Sequence, residues 1–100
     1  MGVKPLAFHP EAVVEVDDAV VWYLEGSLRA AEAFVDEPEH GVLAVQEAPK
    51  RWPFFEGNFR RYLLRRFPFY IVYREKEESI DVVAVAHGRR RPGYWRARTT

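Results

Sequence analysis

The hydrophobic period of this chain changes once, and the change divides it into a helical half and a strand half. Between residues 10 and 47 apolar side chains recur at steps of three and four, the spacing of one face of an α-helix. From residue 59 to residue 87 the period is two, in segments rich in aromatic and β-branched residues. The chain has 100 residues and no cysteine, so no disulfide can stabilise it. The apolar faces of its helices and strands must therefore be buried against each other. The pattern therefore predicts one α+β domain over residues 1–100, with helices covering one face of a sheet.

The helical half is predicted to form a hairpin of two helices. Pro10 suits the first turn of a helix, because it has no amide hydrogen to lose there. Gly26 ends this helix, and Ser27 is placed to cap the next one. Pro38 interrupts the apolar stripe of the second helix, so we expect either a kink there or a new segment that Pro38 opens.

Three antiparallel strands are predicted after a proline-rich linker at 48–58. The strands are residues 59–65, 67–74 and 79–87. The extended segment at 3–8 can add an edge strand, which gives three or four strands in total. Aromatic residues in the linker indicate that it packs against the domain.

Alternation of side chains assigns residues to the two faces of these strands. Tyr70 and Val72 share one face of their strand. In the last strand Val83 and Val85 are predicted to share a face with His87. Arginines occur on both faces of the first strand, so some of them are expected near an open face of the sheet.

A net charge of zero conceals two oppositely charged halves. Residues 1–48 carry ten carboxylates and two basic side chains, whereas residues 49–100 carry five and thirteen. Twelve of the 15 cations are arginine, whose planar fork binds phosphate through two hydrogen bonds. Either the halves attract each other across the fold, or the basic half binds an anion.

The segment AVAHGRRRPGYWRAR, residues 84–98, favours an anion, because its five arginines would otherwise repel one another. Arg89–Arg91 supply cations for phosphate, and Tyr94 and Trp95 supply planes on which bases can stack. Cleavage of RNA without a metal would need His87 as a base and Tyr94 or Tyr70 as an acid. The alternatives are a structural His87, a solvated arginine run, and aromatic side chains that pack the tail against the domain.

Other residues restrict the class of protein further. The outer side of the first helix carries Glu11, Glu15, Asp18 and Glu25, a pattern typical of a solvated face, and Trp22 on that side indicates a surface that binds a partner. The three histidines lack ligand spacing, so no metal and no cofactor are predicted. Because no leader and no apolar run near 18 residues are present, we expect a cytoplasmic protein that does not bind membranes.

Four segments together resemble the RelE/ParE superfamily, the toxins of type II toxin–antitoxin systems, also known as plasmid stabilisation proteins. The segments are FHPEAVVEVDDAVVWY, QEAP, GNFRRYLLRRFPFYIVY and VVAVAHGRRRPGYWRAR. The resemblance covers nearly the whole chain. It implies an N-terminal helical hairpin packed on a three- to four-stranded antiparallel sheet, and a cognate antitoxin that holds the toxin inactive.

Two activities occur in that superfamily. RelE-like members cut mRNA on the ribosome, and ParE-like members inhibit DNA gyrase. The resemblance places Tyr70 where RelE-like toxins carry an arginine, and the strand RFPFYIVYR is similar to ParE-like members. We therefore expect a gyrase-binding toxin. The alternatives are a ribosome-dependent mRNA endonuclease and a non-toxic member that only binds its antitoxin.

The resemblance and the charge pattern together nominate site residues. Catalytic residues, if the protein is RelE-like, are His87, Arg89 and Tyr94. Residues expected to bind nucleic acid or the target are Arg60, Arg66, Tyr70, Arg89, Arg90, Arg91 and Trp95. Residues expected to bind the antitoxin are Trp22, Arg60 and Arg90, because an antitoxin that wraps the helices also covers part of the basic surface.

Overall fold

The computed structural model describes residues 3–99 as a helical hairpin packed on a sheet. The strands are β1 (Leu6–Phe8), β2 (Phe54–Glu56), β3 (Phe59–Leu63), β4 (Phe69–Glu75) and β5 (Ile80–His87). The helices are α1 (Pro10–Gly26) and α2 (Leu28–Glu47), and a 3₁₀ turn covers Arg96–Thr99. Over the described residues, no helix is long and apolar enough to span a bilayer. The predicted α+β plan is confirmed.

The sheet has five strands in the order β1-β5-β4-β3-β2, more than the three or four that we predicted. The additional strand is β2, in which Phe54 pairs with Arg60 across to β3. A three-residue strand inside a proline-rich linker is too short to display a period of two. The sheet is also mixed, because β1 pairs in parallel with β5. The helical hairpin and the following strands supply the long connection that parallel pairing needs.

A bulge in β5 changes the faces that alternation predicts. Val72 pairs with Ala84 and Tyr73 pairs with Val82, so Val83 is an extra residue between them. Val83 consequently packs on the same side as Val72, whereas Val85 packs on the helical side. The prediction that Val83 and Val85 share a face is wrong for this reason.

Local hydrogen bonds explain where the helices begin and end. His9 caps α1, since its Nδ1 accepts the amide of Glu11 at 3.1 Å. Ser27 serves both helices: its amide donates to the Tyr23 carbonyl at 2.9 Å, and its Oγ accepts the Ala30 amide at 3.2 Å. The predicted tight hairpin around Ser27 is thus confirmed.

The second helix continues through Pro38 as one element, so Pro38 does not open a new segment. Pro38 and the preceding Glu37 are buried against the rest of the fold, and this packing offsets the backbone hydrogen bond that proline cannot make. One turn later α2 comes very close to the sheet. A Cβ on Gly41 would lie 2.6 Å from Ile71 Cδ1 and 3.0 Å from Tyr62 Cε1.

Both faces of the sheet are covered, although we predicted that one would be open. The main core lies between the helices and the sheet and includes Phe34, Ile71 and Val85. On the other face Trp95, which has no solvent exposure, packs with Tyr70, Val72 and the partly buried Phe55 and Phe59. The chain after β5 therefore folds back as a lid over this face.

Candidate functional site

Two loops meet at one end of the sheet and bring five arginines together. The turn between β3 and β4 carries Arg65 and Arg66, and the loop after β5 carries Arg89, Arg90 and Arg91. The loops lie side by side because Phe69 pairs with His87 and the Gly88 amide donates to the Pro68 carbonyl at 2.7 Å. We call these five side chains the arginine rim. All five are exposed.

The arginine rim is almost uncompensated. Within residues 3–99, Arg66 is the one rim arginine with a carboxylate partner, Glu37 Oε2 at 2.8 Å from its Nε. The guanidinium of Arg90 lies over the ring of Tyr94, 3.8 Å from the ring centre. The rim is therefore a concentrated positive charge that the described part of the chain does not neutralise.

Glu37, a buried residue of α2, holds the β3–β4 turn through hydrogen bonds. Its Oε1 accepts the amides of Arg65 at 2.9 Å and of Arg66 at 3.2 Å, and its Oε2 accepts Arg66 Nε. Burial favours the neutral acid, but the hydrogen bonds and charge of Arg66 outweigh it and lower the pKa of Glu37. An ionised Glu37 thus holds two rim arginines in place.

Glu15 anchors the chain after β5, contrary to its expected place on a solvated face. Its carboxylate accepts the Val85 amide at 2.9 Å, both Nη atoms of Arg98 at 3.0 Å, and the hydroxyl of Tyr94. The side chain is only 12% exposed. A sequence signal existed, because Glu15 follows Ala12 by three residues and precedes Ala19 by four, and these are the buried residues of α1.

The structure places Tyr70 and Trp95 inside the protein and not on a binding surface. Trp95 is fully buried and Tyr70 is 6% exposed, since each packs in the second core. Tyr94 is half-buried above them. Burial and the hydrogen bond to Glu15 raise the pKa of Tyr94 far above that of an ordinary tyrosine, so the hydroxyl stays protonated at neutral pH.

His87 and Tyr94 line one shallow cleft of about 160 Å³, together with Asp18, Phe69 and Arg90. His87 Nδ1 accepts the Arg89 amide at 3.0 Å, and its ring packs edge-on against Phe69. The three residues nominated for catalysis are thus neighbours. However, the hydroxyl proton of Tyr94 is already donated to Glu15.

Arg60 lies apart from the arginine rim. In β3 it pairs with Tyr73, whereas Leu63 at the rim end pairs with Tyr70. Its Nη1 donates to the carbonyl of Trp52 at 2.6 Å, and its guanidinium covers the Phe54 ring. In this structure Arg60 holds the 48–58 linker to the sheet.

Trp22 is at the tip of the helical hairpin and is 68% exposed. The neighbouring Tyr23 contacts the ring of Phe67 at 5.0 Å between ring centres, and Phe67 belongs to the β3–β4 turn. Trp22 packs against Tyr23 and lines a shallow apolar hollow that also includes Ala30. The hairpin tip and the arginine rim therefore lie at the same end of the molecule, while Arg60 does not.

This arrangement combines an exposed aromatic side chain with fixed cations, a composition typical of protein and polyanion interfaces. For metal binding the described residues offer no cluster of three or more histidine or acidic side chains. Sequence reasoning missed three residues of this site: Arg65, which the rim includes, Glu37, which holds the β3–β4 turn, and Glu15, which anchors the chain after β5.

Comparisons with known proteins agree on one family. The family model of the ParE toxin of the type II toxin–antitoxin system parDE matches residues 6–92. Toxin ParE2 of Mycobacterium tuberculosis, from strain CDC 1551 / Oshkosh and from strain H37Rv, is 39% identical over 48 residues. This match covers 48% of the chain and 46% of each relative, so the chain spans about half the length of the curated relatives it matches.

A solved structure shares the fold. It is titled "Chromosomal ParDE TA system from P. aeruginosa" and superposes with a TM-score of 0.74 at 20% identity. The match covers 85% of this chain and 96% of the other. The hairpin-on-sheet architecture is therefore one that a ParDE component adopts.

Proposed function

Because the chain belongs to the ParE toxin family of type II toxin–antitoxin systems, we propose that it inhibits bacterial growth by binding DNA gyrase until a cognate antitoxin neutralises it. The observation that carries this proposal is the family match, which runs from residue 6 to residue 92 and so includes the hairpin, the sheet and the whole arginine rim. The end of the molecule with the hairpin tip and the rim is the surface we assign to target and antitoxin.

Features of the cleft around His87 favour binding over bond cleavage. A ribonuclease of this fold would need an acid free to protonate the leaving oxygen. The hydroxyl of Tyr94 is bound to Glu15 and has a raised pKa, and Tyr70 is buried in the second core. These two tyrosines are therefore poor donors to an incoming RNA strand, which supports the ParE-like activity over the RelE-like one.

Pulse labelling after induced expression in bacteria tests the proposal. We expect DNA synthesis to fall within minutes and cells to elongate, and the purified chain to inhibit supercoiling by gyrase. A prompt fall in protein synthesis with ribosome-dependent mRNA cleavage would instead establish the ribonuclease. Harmless expression of a folded chain would point to a member that only binds its antitoxin.

His87→Ala serves as a discriminating variant, with Glu77→Ala as a control in the exposed loop between β4 and β5, at the opposite end of the sheet from the rim. If gyrase is the target, His87→Ala keeps most of its toxicity, because binding needs no base and His87 contributes only ring packing and one hydrogen bond, from the Arg89 amide. If RNA is cut, the loss of the base lowers the cleavage rate by roughly 100-fold or more. The control should leave either activity unchanged.

A further inference from the structure

We propose that the arginine rim binds the phosphate backbone of duplex DNA directly. The first support is the charge itself. Five exposed arginines occupy two adjacent loops, and within residues 3–99 only Arg66 has a carboxylate partner. Keeping such charges together costs repulsion that an anion would relieve. Duplex DNA presents a dense row of such anions.

The loop that carries Arg89–Arg91 is held rigidly at both ends. The Gly88 amide bonds to the Pro68 carbonyl, and the Arg90 amide donates to the His87 carbonyl at 3.0 Å. At the far end the Tyr94 amide donates to the Arg91 carbonyl at 3.2 Å, and Glu15 binds the Tyr94 hydroxyl. Because the backbone is already ordered, little further backbone entropy is lost when an anion binds. The cluster is therefore preorganised.

The aromatic side chains beside the rim argue for duplex over single-stranded nucleic acid. Single strands are bound largely by stacking of bases on exposed rings. Here Trp95 is fully buried, and the ring of Tyr94 is covered by the guanidinium of Arg90 at 3.8 Å with that of Arg98 at 5.1 Å. What remains exposed is guanidinium, which binds phosphate oxygens through its planar fork.

The distribution of apolar and acidic groups argues for DNA over an acidic protein at this position. Protein interfaces have a core with few charges and many aromatic residues. At this end of the molecule the exposed aromatic residue is Trp22, and Asp18 and Glu25 flank it one turn away on α1. Phosphates are repelled from that tip and attracted to the rim. The same asymmetry orients the chain, because Asp18 and Glu25 disfavour a duplex over Trp22 whereas the exposed rim arginines favour one.

This inference goes beyond the proposed function, and its assay contains no gyrase, so the two fail independently. A fluorescently labelled 30-bp duplex is titrated with the purified full chain at salt concentrations from 50 to 200 mM, and anisotropy reports binding. We expect affinity to fall steeply with salt. The double variant Arg89→Ala/Arg91→Ala should bind at least tenfold more weakly at the lowest salt, with the salt slope reduced by about 2 because each phosphate contact contributes roughly 1.

The matched control is Arg29→Ala/Arg51→Ala, which removes the same charge from exposed positions outside the rim. It should retain the slope of the parent chain. Thermal melting confirms that both variants fold. The proposal is overturned by absence of duplex binding, by an equal loss in the control, by tighter binding of a 30-nucleotide single strand, or by tighter binding of poly-glutamate. The last result would assign the rim to an acidic protein partner.

Discussion

At the scale of single residues, Gly41 and Glu37 show how two positions in α2 fix the geometry of the end of the molecule that carries the arginine rim. Gly41 lets the helix approach Ile71 and Tyr62 in β4 and β3, and Glu37 lies one turn earlier and holds the β3–β4 turn. Neither role is visible from helical periodicity. Both follow from the short distance between α2 and the sheet, which leaves no space for a methyl group and little water around a carboxylate.

Gly41→Ala should destabilise the fold by about 1–3 kcal/mol, because the new methyl group overlaps Ile71 and the core must shift. Gly26→Ala is the control: nothing lies within 4 Å of a Cβ there, so stability should be unchanged or should rise by about 0.4–1 kcal/mol. Urea denaturation measures both. Equal stability of the two variants would contradict the close approach of α2 to the sheet.

Glu37→Gln should lower the free energy of unfolding at pH 7 by about 1.5–3 kcal/mol, through loss of charge-assisted hydrogen bonds to the turn. Because the folded-state pKa of Glu37 is lowered, its stabilising effect is complete above the ordinary glutamate pKa of 4.5 and is lost as pH falls through the folded value. The difference between parent and variant should therefore shrink in acid. Asp36→Asn, an exposed neighbour, should change stability by less than about 0.5 kcal/mol at any pH.

At the scale of elements, the segment after β5 is a structural lid. Trp95 fills the second core, Arg96 pairs with Glu56, and Arg98 and Tyr94 converge on Glu15. Four residues of the basic segment 84–98 are thus bound to the domain. The exposed charge is concentrated in the short loop before the lid, whose position the lid fixes.

Removing the anchor carboxylate should loosen this lid. Glu15→Ala leaves the largely buried Arg98 without its partner and is expected to cost about 3–5 kcal/mol. Hydrogen exchange should rise first for the amides of residues 93–99. Asp18→Ala removes a carboxylate one turn away on the exposed side of α1 and should leave exchange and melting unchanged. Exchange that rises uniformly over the whole chain would contradict a separate lid.

At the scale of the whole molecule, the helical half carries most of the carboxylates and the sheet half carries most of the cations. The hairpin tip of the first half and the arginine rim of the second lie at the same end of the molecule. Ion pairs across the halves exist, because Arg66 pairs with Glu37 of α2 and Arg98 pairs with Glu15 of α1. Attraction between the halves therefore accounts for part of the charge division and leaves most of the rim unpaired.

Trp22→Ala tests the antitoxin surface at the hairpin tip. Because Trp22 is 68% exposed, the substitution should change the free energy of unfolding by less than about 0.5 kcal/mol. If the tip is the centre of the antitoxin interface, affinity for the cognate antitoxin should fall by about 2 kcal/mol or more, roughly 30-fold. Leu43→Ala, 51% exposed near the other end of α2, is the control in the same calorimetric titration. Unchanged affinity in Trp22→Ala would place the interface elsewhere.

The sequence by itself determined the two helices, the strands β3 to β5 and their order along the chain, because periodicity and caps are local properties. Pro10, Gly26 and Ser27 set the hairpin, and alternating residues set β3 to β5. It also located the cations. Only the tertiary structure decided that Pro38 stays within one helix, that the bulge at Val83 reverses part of β5, and that Trp95 closes the second face. Those outcomes, and the meeting of two loops in one arginine rim, depend on contacts between residues distant in the chain, which no local pattern encodes.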